Sequence, residues 1–230
     1  MQRVAGPVMA EHVMAMAFAL ARDLPAYIAA QSTGRWERQP RGAIKAVSLE
    51  GKTMLVVGLG GIGVEVARRA HAIGMRVTAI RASGREGPDF VSYVGLPDEM
   101  LKLLADADVV VNTLPLTEQT RHLFDARSFA AMKTGAFFIN VGRGGTVATA
   151  DLVEALKQGR VGGAGLDVTD PEPLPQDHPL WRLPNVIITP HVSADSEFEE
   201  NRHWEIACEN LRRYAAGDRM LSVVDVKRGY

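Results

Sequence analysis

Three glycines in fixed register, Gly58, Gly60 and Gly63, stand between an apolar run ending at Val57 and a stretch with helical spacing. No other feature restricts the fold as much. In Gly58-Leu59-Gly60-Gly61-Ile62-Gly63 the first glycine permits a tight strand-to-helix turn. The second lets backbone approach a ligand, and the third lets the helix press onto the strand. A helix that opens there presents unpaired N–H groups and a positive dipole end, which suits a pyrophosphate. Glycine-rich turns also arise for structural reasons alone, so the spacing is weak evidence by itself. Its setting strengthens it, because a strand precedes, a helix follows and a second strand comes next. Residues 52–81 are therefore expected to form the first βαβ unit of a dinucleotide-binding fold, with Gly58, Gly60, Gly61, Ile62 and Gly63 against the phosphates.

The chain continues in the same alternation. Strands are expected at 53–57, 76–80, 107–112, 135–140, 164–168 and 186–189, with 90–94 as a further strand. Helices are expected at 61–73, 97–105, 126–132 and 150–158. Strands that read as continuous apolar runs separated by helices imply an α/β fold, a doubly wound parallel sheet of Rossmann type covered on both faces. Residues 171–190 hold six of the twelve prolines and read as a rigid loop. With 47% hydrophobic and 23% charged residues over 230 positions, there is material for a substantial core. A net charge of −1 gives no attraction to nucleic acid or to an anionic membrane. The single cysteine, Cys208, excludes an internal disulfide or a multi-thiolate metal site, and no metal is expected. A reducing, cytoplasmic setting fits this usage.

Both ends of the chain extend beyond this pattern. Twelve of the fourteen residues at positions 8–21 are apolar, but Glu11 and His12 interrupt them. The run is also shorter than the ~20 residues of a membrane span. A helix starting at Pro7 and buried on most sides is the better reading. Trp36, Glu37, Arg38, Gln39, Pro40 and Arg41 form a polar linker. Near the other end, Ser193 or Asp195 is expected to cap a last helix. Phe198, Trp204, Cys208, Leu211 and Ala215 form its packed stripe and Gly217 its stop. The division expected is 1–40 (helix and linker), 41–195 (the dinucleotide-binding domain) and 196–230 (helix and tail).

The second strand runs into Ile80-Arg81-Ala82-Ser83-Gly84-Arg85. Sites selective for NAD place an acidic residue about twenty positions past the glycines, to hold the adenosine ribose. Arg81 stands there instead. The two arginines Arg81 and Arg85, with Ser83, suit a 2′-phosphate, so NADP(H) is the expected preference, with NAD(H) as the alternative cofactor. The competing view is that these are solvated loop arginines.

Three polar residues follow expected strands, on the edge where parallel sheets bind ligands. They are Arg143 in Asn140-Val141-Gly142-Arg143-Gly144, Glu172 in Asp170-Pro171-Glu172-Pro173, and His191 in Thr189-Pro190-His191. With the glycine turn, Leu114-Pro115-Leu116-Thr117, residues 167–174, His178-Pro179-Leu180-Trp181, Glu209-Asn210-Leu211-Arg212-Arg213-Tyr214 and Val223-Val224-Asp225, they make the chain resemble the D-2-hydroxyacid dehydrogenases over nearly its whole length. That resemblance implies hydride transfer between NAD(P)H and a small 2-oxo acid, as in glyoxylate/hydroxypyruvate reductases. Arg143, Glu172 and His191 would be its catalytic residues. Asp167 would meet the nicotinamide carboxamide, with Pro115, Thr120, Val141, Arg143 and His191 as further cofactor contacts.

The residue types fit this chemistry. Arg143 would clamp the carboxylate and polarise the keto oxygen. His191 would donate the proton, and Glu172 would orient the imidazole. Formate dehydrogenases share the architecture but carry glutamine where Glu172 stands. His12 and His71 on helices, and His178 before a proline, read as structural.

The sequence departs from the family at its start. The chain opens at what resembles the helix joining the family's two lobes, so the lobe that precedes the cofactor domain in the family is expected to be lacking here. The chain is expected to bind cofactor but to reduce 2-oxo acids poorly, because the cleft lacks its second wall. The first helix predicts a homodimer, which agrees with how the family assembles. The competing reading is a non-catalytic dinucleotide-binding interaction module, like the corepressors that share this fold.

Overall fold

The structure, a computed structural model, describes residues 2–36, 38, 46–197 and 199–223. Strands β1 (Thr53–Val57), β2 (Arg76–Ile80), β3 (Tyr93–Gly95), β4 (Val109–Asn112), β5 (Ala136–Asn140), β6 (Val161–Leu166) and β7 (Val186–Ile188) form one sheet. Its order is β3-β2-β1-β4-β5-β6-β7, and every pairing is parallel. The order reverses between β1 and β4, and that is where such sheets open a ligand crevice.

Alternation along each strand divides two cores. Met54 and Val56 of β1, with Phe137 and Ile139 of β5, face one side. Leu55 and Val57, with Phe138, face the other. The first side is covered by α1 (Gln2–Ala21) and α3 (Gly61–Ala72). The second is covered by α4 (Met100–Asp106), α5 (Ala126–Ala131) and α6 (Thr149–Lys157). The doubly wound sheet expected from the sequence is therefore present.

Helix α1 starts at Gln2, so Pro7 lies inside it and does not open it. Proline there cannot donate the backbone bond that an interior helical residue makes to the carbonyl four positions back. Ala10, Val13 and Ala17 are fully buried. Met16 and Leu20 lie directly over β6 backbone, where a Cβ at Gly165 would fall 2.7 Å from Met16 Sδ and one at Gly163 3.0 Å from Leu20 Cδ2. Asp23, at φ 53°, ends this run, and α2 (Leu24–Ser32) leaves at 74° to it. Among the described residues no single helix is long and apolar enough to cross a membrane.

Several local expectations are corrected. The third strand is Tyr93–Gly95, shifted from 90–94 because Val91 closes a turn on the Pro88 carbonyl first. The proline-rich stretch is not wholly loop, since it holds a 3₁₀ turn at Pro179–Arg182 ahead of strand β7, which lies within the expected 186–189. The last helix, α7 (Glu199–Ala216), starts well past Ser193 and Asp195. Trp204 is 69% exposed, and Cys208 and Leu211 are exposed too, so the expected packed stripe is uncovered here. Phe198 of that stripe, most of the 36–41 linker and Val224-Asp225 lie outside the described residues.

Candidate functional site

The parallel register puts Ile80, Val57, Asn112, Asn140, Leu166 and Ile188 in one row at the carboxyl edge of the sheet. The next residue on each strand therefore starts a loop at the same level. Those residues are Arg81, Gly58, Thr113, Val141, Asp167 and Thr189. Hence residues scattered over 132 positions of sequence, from Gly58 to Thr189, converge on one crevice.

At the β1 end, Gly58 has φ 104°, a backbone state that favours glycine. A Cβ there would lie 2.8 Å from Thr113 Oγ1, and that hydroxyl donates to the Gly58 carbonyl at 2.7 Å. A Cβ at Gly63 would run into the Gly58 carbonyl oxygen. Gly60 is the N-cap of α3 and offers no side-chain acceptor to the first-turn amides. Those donors, at Gly61, Ile62 and Gly63, fit the bridging phosphates of a dinucleotide.

Beyond β2, Arg81 donates through Nη1 to the Glu86 carbonyl at 2.8 Å. Ser83 is exposed beside it. Arg85 is engaged elsewhere, 2.7 Å from Glu99 and 2.9 Å from the Tyr93 hydroxyl. Glu99 also accepts from Tyr93 and from the Leu96 amide, at 2.8 Å for the amide. These contacts hold its carboxyl down at about 2, the Tyr93 hydroxyl contributing most.

In the centre, two asparagines tie the loops after β4 and β5 together. Asn112 donates to Asn140 Oδ1 at 2.9 Å and to Thr146 Oγ1 at 2.7 Å, and accepts from the Leu114 amide at 3.1 Å. Asn140 accepts from the Gly142 amide at 3.0 Å. Thr146 donates to the Arg143 carbonyl at 2.6 Å. A Cβ at Gly142 would sit 2.5 Å from the Leu114 carbonyl oxygen, and one at Gly144 would strike that of Thr169. The backbone on both sides of Arg143 is therefore packed tightly, while its guanidinium is exposed and donates to the Gly142 carbonyl at 2.7 Å. Thr120 closes the preceding loop, donating to the Pro115 carbonyl at 2.7 Å and accepting from the Thr117 amide at 2.7 Å.

At the β6 end, Asp167 is buried and fully bonded. Oδ1 accepts from Thr189 Oγ1 at 2.7 Å and from the Val192 amide at 2.9 Å, and Oδ2 accepts from the Ser193 amide at 3.1 Å. Burial alone would push its carboxyl up, but the Ser193 and Thr189 hydroxyls and these amides outweigh that and hold it below the usual range. The Asp167 carbonyl accepts the His191 amide at 2.8 Å. This clamp keeps His191 at φ 60°, a left-handed state that costs a non-glycine residue energy and clusters at functional sites. His191 Nδ1 lies 2.6 Å from Glu172 Oε1, with both side chains nearly half exposed.

Arg143, Glu172 and His191, singled out from the sequence, thus stand on adjacent loops of one edge. Asn112, Asn140, Thr113, Thr189 and Ser193 were not singled out as site residues. The available signal was an asparagine ending each of two otherwise apolar strands. His178 organises a turn, as expected, accepting from the Leu180 amide at 3.3 Å.

Comparison with known proteins agrees with this geometry. Residues 14–193 match the family described as D-isomer specific 2-hydroxyacid dehydrogenase, NAD binding domain. A glyoxylate/hydroxypyruvate reductase B of Citrobacter koseri is 38% identical over 200 residues, 86% of this chain and 61% of that protein. A D-3-phosphoglycerate dehydrogenase of Methanocaldococcus jannaschii is 36% identical over 217 residues, 94% of this chain and 41% of that protein. The chain thus spans from about two fifths to three fifths of the length of these curated relatives. The crystal structure of a D-isomer specific 2-hydroxyacid dehydrogenase from Xanthobacter autotrophicus Py2, in complex with NADPH and MES, superposes with a TM-score of 0.86 at 34% identity, covering 98% of this chain and 90% of that one. The chain is a member of the D-isomer specific 2-hydroxyacid dehydrogenase family and carries its NAD-binding domain.

Proposed function

We propose that this chain binds NADP(H) in preference to NAD(H), and that its site serves the reduction of a small 2-oxo acid to the D-2-hydroxy acid, as in glyoxylate/hydroxypyruvate reductases. The observation that carries the reading is the 2.6 Å His191–Glu172 pair, one loop away from Arg143 at the edge that also bears the glycine turn. When bound, the dihydronicotinamide supplies the hydride. The chain's own residues do the remainder. The Arg143 guanidinium is exposed enough to pair with a substrate carboxylate and polarise the keto oxygen. With Nδ1 committed to Glu172, His191 presents Nε2 as the proton donor for the developing alkoxide. Glu172 orients the ring and balances its charge when protonated. Gly58, Gly60, Gly61, Ile62 and Gly63 would hold the pyrophosphate, Arg81 and Ser83 the 2′-phosphate, and Pro115, Thr120, Val141 and Asp167 would shape the nicotinamide half.

The same reading takes 41–195 as the cofactor domain, 1–40 as helix and linker, and 196–230 as a helix with its tail. It places the protein in the cytoplasm. Exposed Phe18, Leu24, Tyr27 and Ile28 support homodimerisation through the N-terminal helical region. The test is calorimetry with NADPH and NADH, followed by NADPH consumption with glyoxylate and hydroxypyruvate, using His191→Ala as control. Turnover that His191→Ala abolishes is the expected result. Binding without turnover on any 2-oxo acid would favour a dinucleotide-binding interaction module instead.

A further inference from the structure

His12 lies on α1, 177 positions before Thr189, yet its Nε2 is 3.0 Å from Thr189 Oγ1. The direction of this contact follows from its neighbours. Asp167 Oδ1 can only accept, and Thr189 has a single hydroxyl proton, directed to it at 2.7 Å. Thr189 must therefore accept from His12, which fixes the proton on Nε2. His12 Nε2 is 3.8 Å from Asp167 Oδ1 itself, so Thr189 carries the link between them. Asp167 in turn holds the Val192 and Ser193 amides, and its carbonyl holds that of His191. One chain of donation, from His12 through Thr189 to Asp167, thus anchors the loop bearing His191 to a helix on the face of the sheet.

The same helix touches the other half of the site. A Cβ at Gly6 would lie 3.1 Å from the Gly61 carbonyl oxygen, at the opening of α3. Six residues along a helix is about 9 Å, so one rigid element spans from the glycine-turn helix to the β6–β7 loops. Dinucleotides lie across such a crevice, one mononucleotide on each half of the sheet. The β1–β2 half, with Arg81, would take adenosine, which leaves the nicotinamide to the half that His12 braces.

On the dinucleotide-binding reading above, we propose that His12 is a positioning residue: donating through Thr189 to Asp167, it sets residues 189–193, and with them His191, in the conformation that receives the nicotinamide end of the cofactor.

The test uses calorimetry on the full chain with two probes, NADPH and 2′-phospho-ADP-ribose, which lacks the nicotinamide ring. Losing one half-buried donor and stranding its partner is expected to weaken NADPH binding about tenfold in His12→Leu and in Thr189→Val. Affinity for 2′-phospho-ADP-ribose should stay within about twofold, because its contacts lie on the other half. His12→Gln and Thr189→Ser, which keep a donor and a hydroxyl, should bind NADPH nearly as the parent does. Equal loss of both probes would mean a general structural role and overturn the proposal, as would unchanged NADPH affinity in His12→Leu. Failure of the parent chain to bind either probe would instead remove the dinucleotide reading itself, and the proposal with it.

Discussion

The side-chain amide of Asn112 donates to that of Asn140 across 2.9 Å, joining the last residues of two neighbouring strands inside a fully buried network. Each asparagine also fixes the loop that follows its strand, Asn112 through the Leu114 amide and Asn140 through the Gly142 amide. The network decides where backbone lies beside Arg143, so it belongs to the site as much as to the core.

Asn112→Asp conserves shape but replaces the donor to both Asn140 and Thr146 with an acceptor-only group. A buried carboxylate would then face the Asn140 oxygen without a counter-ion. Breaking such a network should destabilise the fold by about 3 kcal/mol or more. Urea unfolding measures this, and a variant within about 0.5 kcal/mol of the parent, the ordinary range for surface changes, would show the network to be dispensable.

Glu172→Gln tests the pairing with His191. The 2.6 Å contact keeps the imidazole in one orientation, and glutamine can bond the same nitrogen without supplying a charge. Turnover should fall about a hundredfold, the low end of general acid–base contributions. The NADPH dissociation constant should barely move, since the carboxylate acts at the reacting end. Weakened cofactor binding with unchanged turnover would reassign Glu172 to the cofactor.

Cofactor choice should depend on Arg81 more than on Arg85. Arg81 spends one guanidinium nitrogen on the Glu86 carbonyl, and its other donors have no partner among the described residues. Arg85 is bound to Glu99, Tyr93 and the Val94 carbonyl. Charge-assisted hydrogen bonds contribute about 1.5–3 kcal/mol, so Arg81→Ala should weaken NADPH binding about tenfold to a hundredfold. NADH, which lacks the 2′-phosphate, should bind much as before. Parallel titrations of both nucleotides decide it, and an equal effect on each would remove the proposed role.

What could be read in advance follows from the range over which the determining interactions act. Strands β1 and β2 match their expected bounds because each is a short apolar run closed by a loop signal, glycine at 58 and Arg81-Ala82-Ser83-Gly84 after 80. Edge strand β3 moved because Ser92 bonds Val77 and so starts it late, and β6, expected at 164–168, runs instead from Val161 to Leu166 in register with β5. Ser193 looked like a helix cap because it precedes a polar, helix-compatible stretch. Its amide is committed instead to Asp167, 26 positions earlier, and no local period encodes that. Asp167 was legible as a site residue by family likeness, but its full bonding to Thr189, Val192 and Ser193 was not. The apolar stripe of α7 was correctly seen as apolar. Periodicity says which residues share a face, and whether anything covers that face is a matter of tertiary structure.

Glu99 offers a test by pH that is independent of any ligand. Its carboxyl is held at about 2 against an ordinary 4.5, first by the Tyr93 hydroxyl, then by the Leu96 amide and by Arg85. The folded value lies below the unfolded one, so the ionised form favours folding. That contribution is fully present above about 4.5 and is lost as pH falls from there through about 2. A carbon-detected NMR titration of the Glu99 side chain should therefore show a midpoint near 2. Tyr93→Phe removes the largest cause and should raise that midpoint toward the ordinary value, leaving the Leu96 amide and the Arg85 pair 2.7 Å away to supply the remaining depression. A parent midpoint near 4.5 would mean that the three-residue cluster does not persist in solution. Arg85 would then be free to turn toward a 2′-phosphate beside Arg81, and the expected ranking of the two arginines would reverse.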